Sequence, residues 1–273
     1  MNKELNDVEF VIFDTETTGL SPDSGDRVVE LAAVRFKGNK QLATFTSLVN
    51  PRRPISEAAF AVNHISQEML KDAPSIEKVM PAFLKFIEGS CLCSYNAGFD
   101  LEFLNNELKL IGKNALEGII VVDILKMARR LIPGLERYAL WFVADKLGIK
   151  TKQEHRAFSD VELTLNTFNK LKEILELKGL SDFNVFSRLF SIDKHFLESV
   201  NAQKLAQIQE AIDLGLVIKI KYLSTSGAKV SEREVNPKEI KQDNGRSYLV
   251  GYCSLRHEER TFSVDGILHM EVV

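Results

Sequence analysis

The chain is poor in cysteine, with three in 273 residues. Cys91 and Cys93 alternate inside an apolar run and Cys253 lies far away. This pattern supplies neither a disulfide framework nor the ligand spacing of a zinc site, so buried thiols in a reducing compartment are expected. Long apolar runs are also missing. No window approaches the ~18 consecutive apolar residues of a membrane span. The opening Met1-Asn2-Lys3-Glu4-Leu5-Asn6-Asp7 lacks the basic and apolar regions of a secretory signal. A cytoplasmic protein with no membrane partner is the expectation. There is no basic excess either, since 35 Lys and Arg face 38 Asp and Glu for a formal net charge of -3. That excludes a broad basic face gripping duplex DNA. It does not exclude nucleic acid as a substrate, because a carboxylate cluster loaded with divalent cations turns electropositive.

Internal repeats and low-complexity tracts are absent as well. The composition, 45% hydrophobic and 27% charged, is that of a globular chain. At about 150 residues per domain, the length suggests two domains. Val8 to Phe13 has the length and apolarity of a strand, and Arg27 to Lys37 and Gln41 to Val49 follow, joined by the turn signal Gly38-Asn39. Three consecutive antiparallel strands are expected. Ser75 caps a helical pattern through Ile76, Val79, Phe83 and Ile87, with Pro81 either kinking it or marking its true first turn. Ser90 to Tyr95 and Ile119 to Ile124 read as further strands. Helical spacing covers Phe99 to Leu108, Leu125 to Leu131, Tyr138 to Leu147 and about Ala157 to Leu177. Strands alternating with helices predict an α/β layer fold.

Composition shifts after Gly179. Ser181 to Gly215 is polar and helical, interleaved with Phe183, Phe186, Phe190 and Phe196. From Leu216 the period becomes two, with turn signals at Ser226-Gly227, Asn236-Pro237 and Asn244-Gly245, the spacing of a small β-barrel. The expected division is a first domain over 1–178, a helical connector over 179–209 and a β-barrel domain over 210–273.

Chemistry concentrates in three clusters. In Phe13-Asp14-Thr15-Glu16-Thr17-Thr18-Gly19 the two carboxylates stand two apart at a strand end, and period two puts both on one face. Their repulsion and desolvation are relieved by a divalent cation, and oxygen ligands suit Mg²⁺ or Mn²⁺. Alone, such a pair reads first as a solvated strand end. Tyr95-Asn96-Ala97-Gly98-Phe99-Asp100 sets Asp100 at a helix start, and His155-Arg156-Ala157-Phe158-Ser159-Asp160 opens the long helix. On one helix His155 and Asp160 would point about 140° apart, so convergence requires His155 in the preceding loop.

These three motifs, in this order over roughly residues 7–177, resemble those of the DEDDh (DnaQ-like) 3′→5′ exonucleases, a family that includes the epsilon proofreading subunit of bacterial DNA polymerase III. The resemblance implies an RNase H-like mixed sheet flanked by helices and a two-metal mechanism using two divalent cations, Mg²⁺ or Mn²⁺. It implies Asp14, Glu16 and Asp160 as metal ligands, Asp14 touching both ions, Asp100 completing the acidic set, and His155 as general base. It assigns the 3′ terminus of single-stranded DNA or RNA to Thr15, Thr17, Thr18, Gly19, Leu20, Asn96 and Phe99. Asn63 and His64 lie in a segment similar to a family loop, with the histidine displaced by one position. Tyr95 stands where many relatives have histidine.

Residues 210–273, with Ser247-Tyr248-Leu249 in place of a Trp-Tyr-Leu triplet, resemble the WYL domain, a Sm/SH3-like barrel. That resemblance implies a nucleic-acid or nucleotide-like regulatory ligand. Arg233, Tyr248, Arg256 and Arg260 are its candidates, since guanidinium forks match phosphate and tyrosine offers a stacking face. The alternative pairs the arginines with Glu232, Glu258 and Glu259. Three readings follow: a 3′→5′ exonuclease with a binding barrel, a ligand-sensing module with a gated or weak nuclease, and a polymerase-associated proofreading subunit.

Overall fold

The computed structural model describes residues 3–150, 155–192, 194–224 and 229–272; the side chains of 194–203 and 272 stay outside the description. β1 (Glu9–Thr17), β2 (Val28–Lys37) and β3 (Lys40–Leu48) form the expected antiparallel meander. β4 (Cys91–Ser94) then pairs parallel to β1, and β5 (Val121–Asp123) parallel to β4, for a sheet order β3-β2-β1-β4-β5. The run Phe10-Val11-Ile12-Phe13 is continuously apolar because helices cover both faces of the sheet. Phe10 and Ile12 point into a core shared with α5 (Ile124–Leu131) and α7 (Ala157–Leu177). Val11 and Phe13 point into a second core with α3 (Ile76–Ile87) and α4 (Ala97–Leu110). Numbering the helices in chain order, the rest are α1 (Glu57–Asn63), α2 (Gln67–Leu70), α6 (Leu140–Lys146), α8 (Phe183–Phe190) and α9 (Lys194–Asp213). Pro81 sits in the interior of α3, not in its first turn.

Two buried charged side chains, Glu107 and Lys172, tie the layers together. The Glu107 carboxylate on α4 is 1% exposed and accepts both Nε and Nη2 of Arg27 (2.8 and 2.7 Å) and the amide of Val28 (3.0 Å). Lys172 on α7 donates to the Gly38 carbonyl and the Asn39 side chain, which holds the β2–β3 turn.

The segment expected to be a connector is divided between two cores. Phe186, Leu189 and Phe190 of α8 are buried with Phe10, Phe36 and Phe168 of the first sheet's core, Phe186 meeting Phe10 edge-on at 5.8 Å. Ile208 and Ala211 of α9 pack instead on a second sheet. That sheet is antiparallel, β6 (Ile218–Leu223), β7 (Val230–Asp243), β8 (Arg246–Cys253), β9 (Glu258–Ser263) and β10 (Ile267–Val272), in the order β10-β6-β7-β8-β9. Among the described strands no pairing joins β9 to β10, so an open sheet stands where a closed barrel was expected. A short 3₁₀ turn, Val264–Gly266, carries the chain from one edge to the other, and Lys204 on α9 donates to its Val264 and Ile267 carbonyls.

Asn236-Pro237 is not a turn. It lies within β7 at a register shift, which tolerates a residue without an amide hydrogen. Asn244 and Gly245, at φ 48° and 73°, make the expected hairpin turn, and Ser226-Gly227 falls outside the described residues. All three cysteines are buried and free. No described helix is long and apolar enough to cross a membrane.

Because α8 shares the first core, truncating its central ring should destabilise that domain. Phe186→Ala is expected to cost about 3–5 kcal/mol, the range for large aromatic truncations in a packed core. Urea unfolding followed by circular dichroism measures this, and a loss below 1 kcal/mol would mean α8 is only a tether.

Candidate active site

Strand alternation builds the site. Asp14 and Glu16 share the face of Phe10 and Ile12, the side on which α7 packs, and Asp160 is buried in the first turn of α7. Oxygens of Asp14, Glu16 and Asp160 all lie within 4.8 Å of one another. Thr15 points to the other face, toward α4. There the Asp100 carboxylate, 3% exposed, accepts the Thr15 amide (3.0 Å), the Thr15 hydroxyl (2.6 Å) and the Ser94 hydroxyl (2.6 Å). Asp100 therefore stands behind the triad and acts on it through its charge.

Burial pushes the carboxyls up, and their mutual repulsion adds to it. Asp14 is raised well above its ordinary value by burial, then by Asp100, Glu16, Asp160 and Glu30. Glu16 is pushed from about 4.5 to about 8 by burial, then by Asp160, Glu30 and Asp100. Asp100 is pushed to about 6 by burial, against the opposing hydrogen bonds from Ser94 and Thr15. Three converging hard oxygen donors that resist sharing negative charge fit a divalent cation of the Mg²⁺ or Mn²⁺ type.

His155 lies in the loop before α7, as convergence requires, and its backbone is left-handed at φ 51°. The next residue is clamped. Arg156 donates from Nη2 (2.9 Å) and Nε (3.1 Å) to Glu30, which also accepts the Ala157 amide that opens α7 (3.1 Å). Glu30 is buried, and its register partner on β1 is Glu16. Sequence reasoning passed over Glu30. Its signal was a lone acid inside Val28-Val29-Glu30-Leu31-Ala32-Ala33-Val34.

Beside the carboxylates opens a cleft of about 580 Å³. Thr15, Thr17, Gly19, Leu20 and Phe99 line it, together with Asn63, Val62 and Ser56 around α1. Leu20 stands 84% exposed at its rim. A Cβ on Gly19 would overlap the Asp26 carboxylate, which would have to shift away from its Thr18 and Ser21 hydrogen bonds. Thr18 and Asn96, by contrast, are not among the residues that line the cleft. The Thr18 hydroxyl is buried and bound between Asp26 (2.9 Å) and the Arg27 amide (3.1 Å), which fixes the loop. Asn96 is left-handed, and its amide donates to Asp123 (3.0 Å), which also caps α5. Asn63 is buried and donates to the Thr17 carbonyl (3.3 Å), whereas His64 is the exposed left-handed cap of α1.

The four candidates on the second sheet do not form one site. Arg233 and Tyr248's partner Lys241 stand eight residues apart on β7, roughly 25 Å at ~3.3 Å per residue. Arg260 pairs with Glu258 (2.7 Å), Arg233 donates to Ser231 (3.1 Å), and Arg256 is exposed in the β8–β9 turn.

This arrangement, a mixed five-stranded sheet with acids at the end of its first strand and on a crossing helix, defines a nuclease-type α/β fold. Comparison with known proteins assigns the family. The model of the Exonuclease family matches residues 11–168, and that of the WYL domain matches residues 203–272. The chain belongs to the exonuclease family and carries a WYL domain behind it. It is 39% identical over 195 residues to a DNA polymerase III subunit epsilon-like protein of Rhodobacter capsulatus, covering 70% of this chain and 27% of that protein. It is 38% identical over 179 residues to the DNA polymerase III PolC-type of Caldanaerobacter subterraneus, covering 64% of this chain and 13% of that protein. The chain thus spans about a quarter or less of these curated relatives. The solved nuclease domain of 3′hExo, a DEDDh family member bound to rAMP, superposes with a TM-score of 0.55 at 16% identity, over 66% of this chain and 97% of that domain. This likeness confirms the RNase H-like fold.

The raised carboxyls set a pH dependence with a definite sign. An acid whose pKa is higher folded than unfolded holds extra protons in the folded state, so stability falls as pH rises between the two values. In EDTA, the melting temperature should fall as pH rises from about 4.5 to about 8, the window of Glu16. Adding Mn²⁺ at pH 8 should restore it, and Glu16→Gln should flatten the fall. Differential scanning fluorimetry checks this, and a metal-free melting temperature that rises across the window would contradict it.

Proposed function

We propose that this chain is a divalent-metal-dependent 3′→5′ exonuclease that releases nucleotides from single-stranded nucleic acid, with DNA as the first substrate to test and RNA beside it. The observation that carries the reading is the convergence of Asp14, Glu16 and Asp160 to within 4.8 Å. Those three carboxylates would hold the divalent cations, and Asp100 steadies Thr15 from behind. The bound cations supply charge stabilisation to the entering and leaving oxygens at phosphorus.

The chain's own residues do the rest. His155 takes the proton of the attacking water, since an imidazole is the side chain suited to accepting a proton near neutral pH. Glu30 and Arg156 fix the backbone on which His155 sits. Thr15, Thr17, Gly19, Leu20 and Phe99 hold the terminal nucleotide in the cleft, Leu20 and Phe99 against the base. The names of the relatives favour a role beside a DNA polymerase as the second reading. In our division, the exonuclease domain ends near residue 178 and the WYL-like domain begins near 210. The latter is read as binding nucleic acid or a nucleotide-like ligand.

The test is a gel time course on 5′-labelled single-stranded DNA and matching RNA with Mn²⁺, Mg²⁺ or EDTA. A ladder shortening from the 3′ end, absent in EDTA and in Asp14→Ala, is expected. His155→Ala should lower kcat about 10²–10⁴-fold, the usual contribution of a positioned general base. Absence of shortening on both substrates, or shortening that survives Asp14→Ala, would overturn the reading.

A further inference from the structure

Every cation–π contact among the described residues falls between residues 129 and 146. The Arg129 guanidinium lies 5.8 Å from the centre of the Tyr138 ring. Arg137 lies 5.9 Å from Trp141 and 5.6 Å from Phe142, and the Lys146 ammonium 5.1 Å from Phe142. Trp141 is 45% exposed and meets Phe142 edge-on at 5.5 Å. No described carboxylate forms an ion pair with Arg129, Arg137 or Lys146. In a chain of net charge -3, residues 129–150 hold Arg129, Arg130, Arg137, Lys146 and Lys150 against only Glu136 and Asp145. An indole left in water beside unpaired cations is not a packing solution, since burying the ring would stabilise the fold more than an exposed cation–π contact does.

The segment is held rigid and close to the carboxylates. The Tyr138 hydroxyl donates to the Ile132 carbonyl (3.0 Å) and accepts the Leu135 amide (3.4 Å), bracing the loop before α6. Tyr95, next to the Ser94 that binds Asp100, donates from its hydroxyl to the Tyr138 carbonyl (2.8 Å). The inner face of α6, Leu140 and Ala144, packs on Leu163, one turn beyond Asp160 on α7. Packed helices stand about 8–10 Å apart, so the outer face of α6 lies within a few nucleotides of the acidic centre.

We propose that Arg137, Trp141, Phe142 and Lys146 form a ledge for single-stranded nucleic acid, the stretch 5′ of the terminal nucleotide held in the cleft. The cations meet the phosphates and Trp141 stacks on a base, the pairing of positive groove and aromatic platform that binds single strands without reading sequence. This deepens the exonuclease reading and rests on it.

Trp141 is the sole tryptophan of the chain, so its emission reports the ledge alone. The full chain in EDTA is titrated with oligodeoxythymidylate of twelve nucleotides and with inorganic polyphosphate. Saturable quenching by the oligonucleotide and not by polyphosphate is expected. Anisotropy of a labelled oligonucleotide should show Trp141→Ala raising Kd roughly 5- to 100-fold, the range of one lost base–aromatic stack. Arg137→Ala with Lys146→Ala, both exposed changes, should weaken binding and flatten its salt dependence. Unmoved Trp141 emission, or variants that bind like the parent, overturns the ledge. Cleavage of a dinucleotide with Mn²⁺ by the unaltered chain separates the two claims. If the dinucleotide is cut while emission stays unmoved, the ledge falls and the nuclease stands. If emission is quenched but nothing is cut, the nuclease reading falls and the ledge survives as a strand-binding surface.

Discussion

Crowding of carboxylates at the end of one strand is the constraint on which the rest of this structure depends. Asp14, Glu16, Asp160 and Glu30 occupy the α7 face of the sheet, and Asp100 presses from the opposite face. Ionising Asp14, Glu16 and Asp100 there is costly, because burial removes water, and for Asp14 and Glu16 the neighbouring carboxylates add repulsion. The fold tolerates the arrangement by giving Asp100 three hydrogen bonds and Glu30 an arginine. Glu16 has one side-chain hydrogen bond, from Asn63, too little to offset its burial and neighbours, and a divalent cation is the group that would satisfy it and Asp14.

Positioning these acids requires a rigid frame on both sides of the sheet. The alternation of Phe10 and Ile12 with Val11 and Phe13 divides one apolar run between two cores. The same alternation sends Asp14 and Glu16 one way and Thr15 the other. Glu107 locks α4 to the start of β2, and Glu30 locks the start of α7 to β2 beside Glu16. Both clamps join helices that carry Asp100 and Asp160 to the strand next to β1. The second sheet leans on the same frame, since Leu223 and Leu268 are buried in the first core and Arg130 of α5 reaches the Asp265 carbonyl (3.3 Å).

Much of the first domain was legible. The strand runs were apolar and of the right length, the long helix carried its period, and Gly38-Asn39 turned as written. Asp14 and Glu16 could be placed on one face from spacing alone. The connector was harder to read. Phe183, Phe186 and Phe190 showed that α8 buries a face, but not against which partner, and that partner is the distant Phe10. Asn236-Pro237 misled because a proline that breaks a regular strand is accommodated at a bulge. Thr18 sat inside a recognisable motif, yet its buried hydroxyl is bound to Asp26, and the backbone amide of Asn96 is bound to Asp123.

The sequence by itself determined the inventory of chemistry and its local geometry: period two on β1, helical period on α7, and three acidic motifs in order. These follow from short-range rules that depend only on neighbouring residues. Only the tertiary structure decided which acids meet. Asp160 lies 146 positions from Asp14, and nothing local measures that separation. Burial, which raises Glu16 to about 8 and singles out Glu30 as a clamp, belongs to the packed layers as a whole. The same holds for the scatter of Arg233, Tyr248 and Arg260 along the second sheet, because register sets distance across strands while sequence sets only order.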